Sequence, residues 1–249
     1  MDVTQLQFDP ETISAKTATV AGALCERSSN ISEPNFESIA GKDVGLLFEL
    51  YDREFFGGWL TKQIQQKSPQ PLRFRVSSRM TRAGGKTTRW RAKGGPQYTY
   101  EIAVAARLLF LSFGEVDRPI RIGGHVCRSR LDALQRIMEH EIIHLIELLE
   151  WGRSSCKQPR FKQLIGNIFG HTESHHELIT PAEDAAVRHQ VVVGSMVRFE
   201  FEGRQLTGRV NRINRRATVL VASGDGQQYS DGKRYEKYYV PLERLTSIS

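Results

Sequence analysis

Residues 130–151 read RLDALQRIMEHEIIHLIELLEW, and Gly152 follows. Apolar residues recur through this stretch at helical spacing, which predicts one long helix closed by the glycine. Ile137, Met138, Ile142, Ile143, Leu145, Ile146, Leu148 and Leu149 make it apolar nearly all round, so the helix is expected to be buried. Within it, His140-Glu141-Ile142-Ile143-His144 has the form H-E-x-x-H. Positions i and i+4 lie on one helix face, so the two imidazoles can share a single zinc ion. Glu141 stands beside the first ligand, where it can take a proton from water attacking a carbonyl. The competing reading is a chance match on an exposed helix, which arises in roughly one per cent of chains this long. Burial argues against chance. Two histidines and a glutamate inside a core need partners, because unpaired buried polar groups are costly.

A catalytic zinc takes three protein ligands and leaves its fourth position to water. A metzincin would place its third histidine six residues after His144, but position 150 is Glu. Cys156 and His171 are the main candidates, followed by Glu147, Glu150, His175 and His176, and spacing does not choose among them.

Outward from this helix, VGLLFELYDREFF (44–56) has helical periodicity and stops at Gly57-Gly58. LRFRVSSRM (72–80) and QYTYEIAVA (97–105) read as strands, with a Gly84-Gly85 turn between them. ARLLFLSF (106–113) continues the second strand or forms a short helix. PRFKQLIGNIFG (159–170) is a further helix, and Thr180-Pro181-Ala182-Glu183 announces another. After Gly194 the runs are short and β-rich, cut by Gly, Asn and Asp. The fold class expected is α+β in three parts: a flexible tail over 1–43, a main domain over 44–190 and a small all-β domain over 191–249.

No apolar run approaches the roughly 18 residues of a membrane span, so no membrane role is expected. The polar N-terminus lacks a basic-then-apolar start, which argues against a secretory leader. Three widely spaced cysteines suggest a reducing compartment, and a cytoplasmic or nucleoid-associated protein is expected. Formal net charge is +7, unevenly spread. Arg73, Arg75, Arg79, Arg82, Lys86, Arg89, Arg91 and Lys93 fall in a run without acids, interleaved with Phe74 and Trp90. Bases and aromatics together suit nucleic acid, through phosphate contact and base stacking. A solvated hairpin is the plain alternative. Arg209, Arg212, Arg215 and Arg216 form a second cluster in the β-rich segment, with Tyr229, Tyr235, Tyr238 and Tyr239 following as stacking surfaces or core.

From about Val44 to Thr180 the chain resembles the SprT-like (Spartan-related) metallopeptidases. The resemblance is carried by LYDREFFGGWL, FRVSSRMTRAGGKTTRW, MEHEIIHLIELLEWGRSS and PRFKQLIGNIFG, in that order, with Phe161 at the aromatic position of the family's H-G-x-x-F/W pattern. It implies a minimal zincin-like domain, bound Zn2+, Glu141 as general base, and protein substrates associated with DNA. Two departures stand out. The family's third zinc-binding histidine falls on Lys157, next to Cys156. No C-x-x-C is present for the zinc ribbon that ends many relatives. In its place VGSMVRFEFEGRQLTGRVNRINRRATVLV resembles an SH3-like barrel of the KOW or Tudor sort. Two other classes compete with a protease: a nucleic-acid-binding protein with a closed structural zinc, and a zinc hydrolase of a small molecule. Oligomeric state is not legible.

Overall fold

The computed structural model describes every residue except Lys93, Gly94, Pro96 and Ser249, so Lys93 of the basic run lies outside the described residues. The chain divides into two compact units, Met1–Phe113 with Arg118–Leu178, and Gly114–Asp117 with Ile179–Ser249.

The first unit begins with structure where a flexible tail was expected. Asp9 accepts a hydrogen bond from the Thr12 N–H at 2.8 Å and Pro10 occupies the first helical turn, which starts helix α1 (Pro10–Arg27). Ile13, Thr17, Val20 and Leu24 recur at spacings of four, three and four, and all are buried. Small Ala, Thr and Ser residues around them dilute the apolar stripe, which is why composition alone reads as a tail. Ile31 and Phe36 are buried beyond it. Helix α2 (Gly41–Phe56) ends at Gly57, whose φ of 57° closes the helix in the left-handed region. Asp52 of α2 then caps helix α3 (Trp59–Lys67), accepting from the N–H groups of Leu60 and Thr61 at 2.9 Å each.

A three-stranded sheet follows, from β1 (Arg73–Val76), β2 (Gly85–Arg91) and β3 (Tyr98–Val104). Its order is β1-β3-β2, with β1 parallel and β2 antiparallel to β3. β2 is therefore an edge strand. Helix α4 (Ala106–Ser112) comes next, settling the ambiguous ARLLFLSF as helix. A short antiparallel pair, β4 (Ile120–Ile122) and β5 (His125–Cys127), leads into α5 (Arg130–Trp151), then α6 (Pro159–Phe169). As its composition demands, α5 buries residues from Leu131 to Leu149.

The second unit begins before the boundary expected at 191. Helix α7 (Pro181–His189) is capped by Thr180, which accepts from the Glu183 N–H. Ala185 and Val191 are buried in one cluster with Val197, Val210 and Leu242, so α7 belongs to the β-rich unit. Strands β6 (Met196–Phe201), β7 (Arg204–Ile213), β8 (Ala217–Gln228), β9 (Arg234–Val240) and β10 (Thr246–Ile248) form an antiparallel sheet in the order β10-β6-β7-β8-β9. Among the described residues no helix is long and apolar enough to cross a membrane.

Candidate metal centre

Ser129 caps α5 by accepting from the Asp132 N–H at 3.1 Å, and Gly152 closes it in the left-handed region. Four residues apart on this helix, the Nε2 atoms of His140 and His144 face each other at 3.1 Å. The loop after Gly152 brings Cys156 to them. One ligand atom from each of the three lies within 4.8 Å of the others. Phe161 of α6, fully buried, packs against both rings, with centroid distances of 4.9 Å to His140 and 4.6 Å to His144. The site thus has an apolar wall and three soft or borderline donors converging from two segments.

Burial lowers the pKa of His140 to about 3, with the neighbouring His144 adding to the shift, and burial lowers that of His144 to about 4. Both rings are neutral at physiological pH, the form that binds metals. The tautomer of His144 follows from its other nitrogen. Ser154 donates its one hydroxyl proton to Glu147 Oε2 at 2.6 Å. Its oxygen, 2.6 Å from His144 Nδ1, must therefore accept from that ring. The lone pair of His144 is left on Nε2, facing His140. Two facing ring nitrogens need either a proton or a cation between them.

Glu141 sits one residue from the first histidine and is only 3% exposed. Thr87 of β2 donates to its Oε2 at 2.7 Å. Burial raises its pKa to about 7, against the lowering effect of Thr87. β2 comes so close that a Cβ on Gly85 would stand 2.6 Å from Glu141 Oε1 and Cγ. Gly85 is thus the first residue of an edge strand as well as part of the expected turn, and glycine is needed there for clearance. A cleft of about 90 Å³ opens beside these groups, lined by Gly84, Gly85, His140, Glu141, His175 and His176 among others.

His171 does not join the cluster. It is buried, and its Nε2 lies 2.7 Å from Glu139 Oε2. Glu139 also accepts from Tyr51 at 2.8 Å and from Arg136 at 2.9 and 3.0 Å. Burial works against its charge, yet Arg136, His171 and Tyr51 together hold its carboxyl below the usual range. His171 is committed to a buried clamp between α2, α5 and the loop after α6, which the sequence reading missed. The remaining ligand candidates are placed elsewhere too. Glu147, fully buried, accepts from Ser154, from the Ser155 N–H and from Arg160 Nε at 2.7 Å. Glu150 pairs with Lys67 and His175 with Glu173. His176 Nε2 lies 3.0 Å from the donating Gly84 N–H. Lys157 is exposed, outside the three-residue cluster.

The basic run of the first unit is divided by the sheet. Strand pairing puts Arg73, Arg75, Lys86 and Trp90 on one face, and Arg89 and Arg91 on the other. Arg75 pairs with Glu101 and Arg73 lies over Trp90. Arg89 lies over the Tyr98 ring at 4.0 Å and reaches Gly152 at the C-terminus of α5, a site that favours a cation. Arg79 and Arg82 are exposed in the bend between β1 and β2. In the second unit Arg209 and Arg212 are exposed on β7, and Arg215 and Arg216 are exposed in the turn after it.

Comparison of the chain with protein-family models, curated proteins and solved structures finds no match.

Proposed function

We propose that the first unit is a zinc-dependent peptidase, zincin-like and similar to SprT-like proteases, which acts on proteins held on DNA. The observation that carries this reading is the convergence of His140, His144 and Cys156 beside a buried Glu141. The donor set fits zinc. The 3.1 Å between the histidine nitrogens is close to the roughly 3.3 Å that two nitrogens keep on a tetrahedral zinc. Both rings are neutral, and a cysteine sulfur is a preferred zinc donor. With His171 committed to Glu139, three protein ligands remain, which favours an open catalytic site over a closed structural one.

Zinc bound there would act as a Lewis acid, polarising a carbonyl and activating water near neutral pH. The chain's own part falls to Glu141. Thr87 donates to its Oε2, which leaves Oε1 to take a proton from the attacking water and return it to the leaving amine. A pKa near 7 suits both transfers. Ser154 and Glu147 keep His144 in its ligating tautomer. Edge strand β2 leaves one side of its backbone outside the strand pairing, and a peptide can add there as a further strand beside Glu141. That favours a peptide over a small molecule. The second unit, read as an SH3-like barrel, and the exposed arginines of both units recruit the nucleic acid.

The test is a gel assay. Purified protein is incubated with a basic DNA-binding protein, with and without single-stranded DNA, beside Glu141→Gln. DNA-dependent cleavage that disappears in the variant is expected. No cleavage by protein that holds zinc would overturn the reading in favour of a structural zinc.

A further inference from the structure

The tyrosines of the second unit are not equivalent. Tyr238 packs against Phe199 and Phe201, and Tyr229 and Tyr235 meet edge to face, with Lys237 over the Tyr229 ring. Tyr239 has no such aromatic neighbour among the described residues and is 65% exposed. Sheet register places it on β9 opposite Thr218 of β8, next to the β7–β8 turn. That turn carries Arg215 and Arg216, both exposed and outside any ion pair among the described residues. Asn214, Arg215, Arg216, Thr218 and Tyr239 line one shallow pocket of about 310 Å³. Asn214, with its amide turned to satisfy both ends, accepts from Arg212 Nε at 2.8 Å, which ties the floor of the turn together. From Arg204 to Gly224 there are five arginines and no acidic residue.

The geometry points to a single-nucleotide subsite of a single-stranded nucleic acid, with the Tyr239 ring as stacking platform and Arg215 and Arg216 on the flanking phosphates. Two guanidiniums exclude a cation from the pocket and select an anion. An open aromatic face beside them adds what a phosphate alone or an acidic peptide would not use, the flat face of an unpaired base. A duplex hides that face in its stack, so single strands are the partner. This deepens the nucleic-acid part of the function proposed above and is independent of the metal centre. Binding is read without any cleavage step. Unaltered binding by Tyr239→Ala removes only this subsite, a wild-type chain that does not bind removes the DNA-directed part of that function as well, and loss of cleavage with binding intact sinks only the peptidase part.

The experiment is fluorescence anisotropy of the full chain with a labelled oligothymidylate about twelve nucleotides long, across a salt series. Tyr239→Ala is expected to weaken binding about five- to a hundredfold, the range for one lost base stack, with the salt slope unchanged. Tyr239→Phe should bind as wild type. Arg215→Ala with Arg216→Ala should lower the slope of log affinity against log salt by about 1.4, two phosphates at about 0.7 each. The exposed ring makes loss of folding an easy control, read from the melting temperature. The proposal is overturned if Tyr239→Ala binds as wild type, which would mean a charged surface only. It is also overturned if oligoglutamate competes as well as the oligonucleotide, or if the wild-type chain does not bind.

Discussion

Replacing Glu141 by Gln tests the electrostatics of the centre without any turnover. In the folded, metal-free protein burial raises this carboxyl from 4.5 to about 7. Below pH 4.5 folded and unfolded chains both hold the proton, and the group contributes no pH dependence. Between pH 4.5 and 7 only the folded chain holds it, so stability falls by about 1.4 kcal/mol per pH unit. Above pH 7 both are ionised, and the full loss of about 3 kcal/mol is reached. Gln has nearly the same shape, can still accept from Thr87, and carries no charge at any pH. The expected result is that Glu141→Gln and wild type unfold alike near pH 4.5 in the presence of a chelator. The variant then gains steadily until it is about 3 kcal/mol more stable at pH 8. Urea unfolding at several pH values measures this directly. A stability difference that does not change with pH would refute the claim that Glu141 is buried with only a hydroxyl for company, and with it the case for a tuned base.

Two further outcomes follow from the ligand assignment. Cys156→Ala should lose most bound zinc by metal analysis, whereas His171→Ala should keep its zinc and lose about 1–3 kcal/mol of stability, because Glu139 is left a donor short in the core. The reverse pattern would return the third-ligand role to His171. Ser154→Ala should weaken zinc affinity about 10- to 100-fold in competition with a chromogenic chelator while leaving the stoichiometry at saturation intact; an unchanged affinity would mean that the hydroxyl does not hold the His144 tautomer.

The main helix and its two histidines were legible because periodicity and a four-residue spacing are local properties. The same holds for α2, α6 and the Thr180 cap. Helix α1 was missed although Asp9-Pro10 is a proper helix start, since its buried stripe of Ile13, Thr17, Val20 and Leu24 includes a threonine and is flanked by small residues. The boundary near 191 was misplaced because α7 looks like a helix of the preceding domain. Only the burial of Ala185 with Val197 and Val210 assigns it to the sheet that follows. The third ligand was illegible for a deeper reason. Cys156 and His171 are both plausible donors in sequence, and what separates them is where Glu139 lies, a contact spanning 32 residues.

That contact belongs to a pattern along α5, which buries three glutamates, Glu139, Glu141 and Glu147, in little more than two turns. Sequence gives them the same chemistry, and their neighbours give them three different roles. Glu139 has Arg136, Tyr51 and His171, a cation and two further partners, so its charge is held and it serves as a clamp. Glu147 accepts from Arg160, Ser154 and the Ser155 N–H, and through Ser154 it fixes the orientation of His144. Glu141 has the Thr87 hydroxyl and no cation among its described partners, and it is the one whose proton affinity rises towards neutral pH. A proton-transfer group must be able to change its charge during the reaction, and a carboxylate locked to an arginine resists that. Glu141 alone of the three has no arginine among its described partners, and it lines the cleft beside the metal ligands.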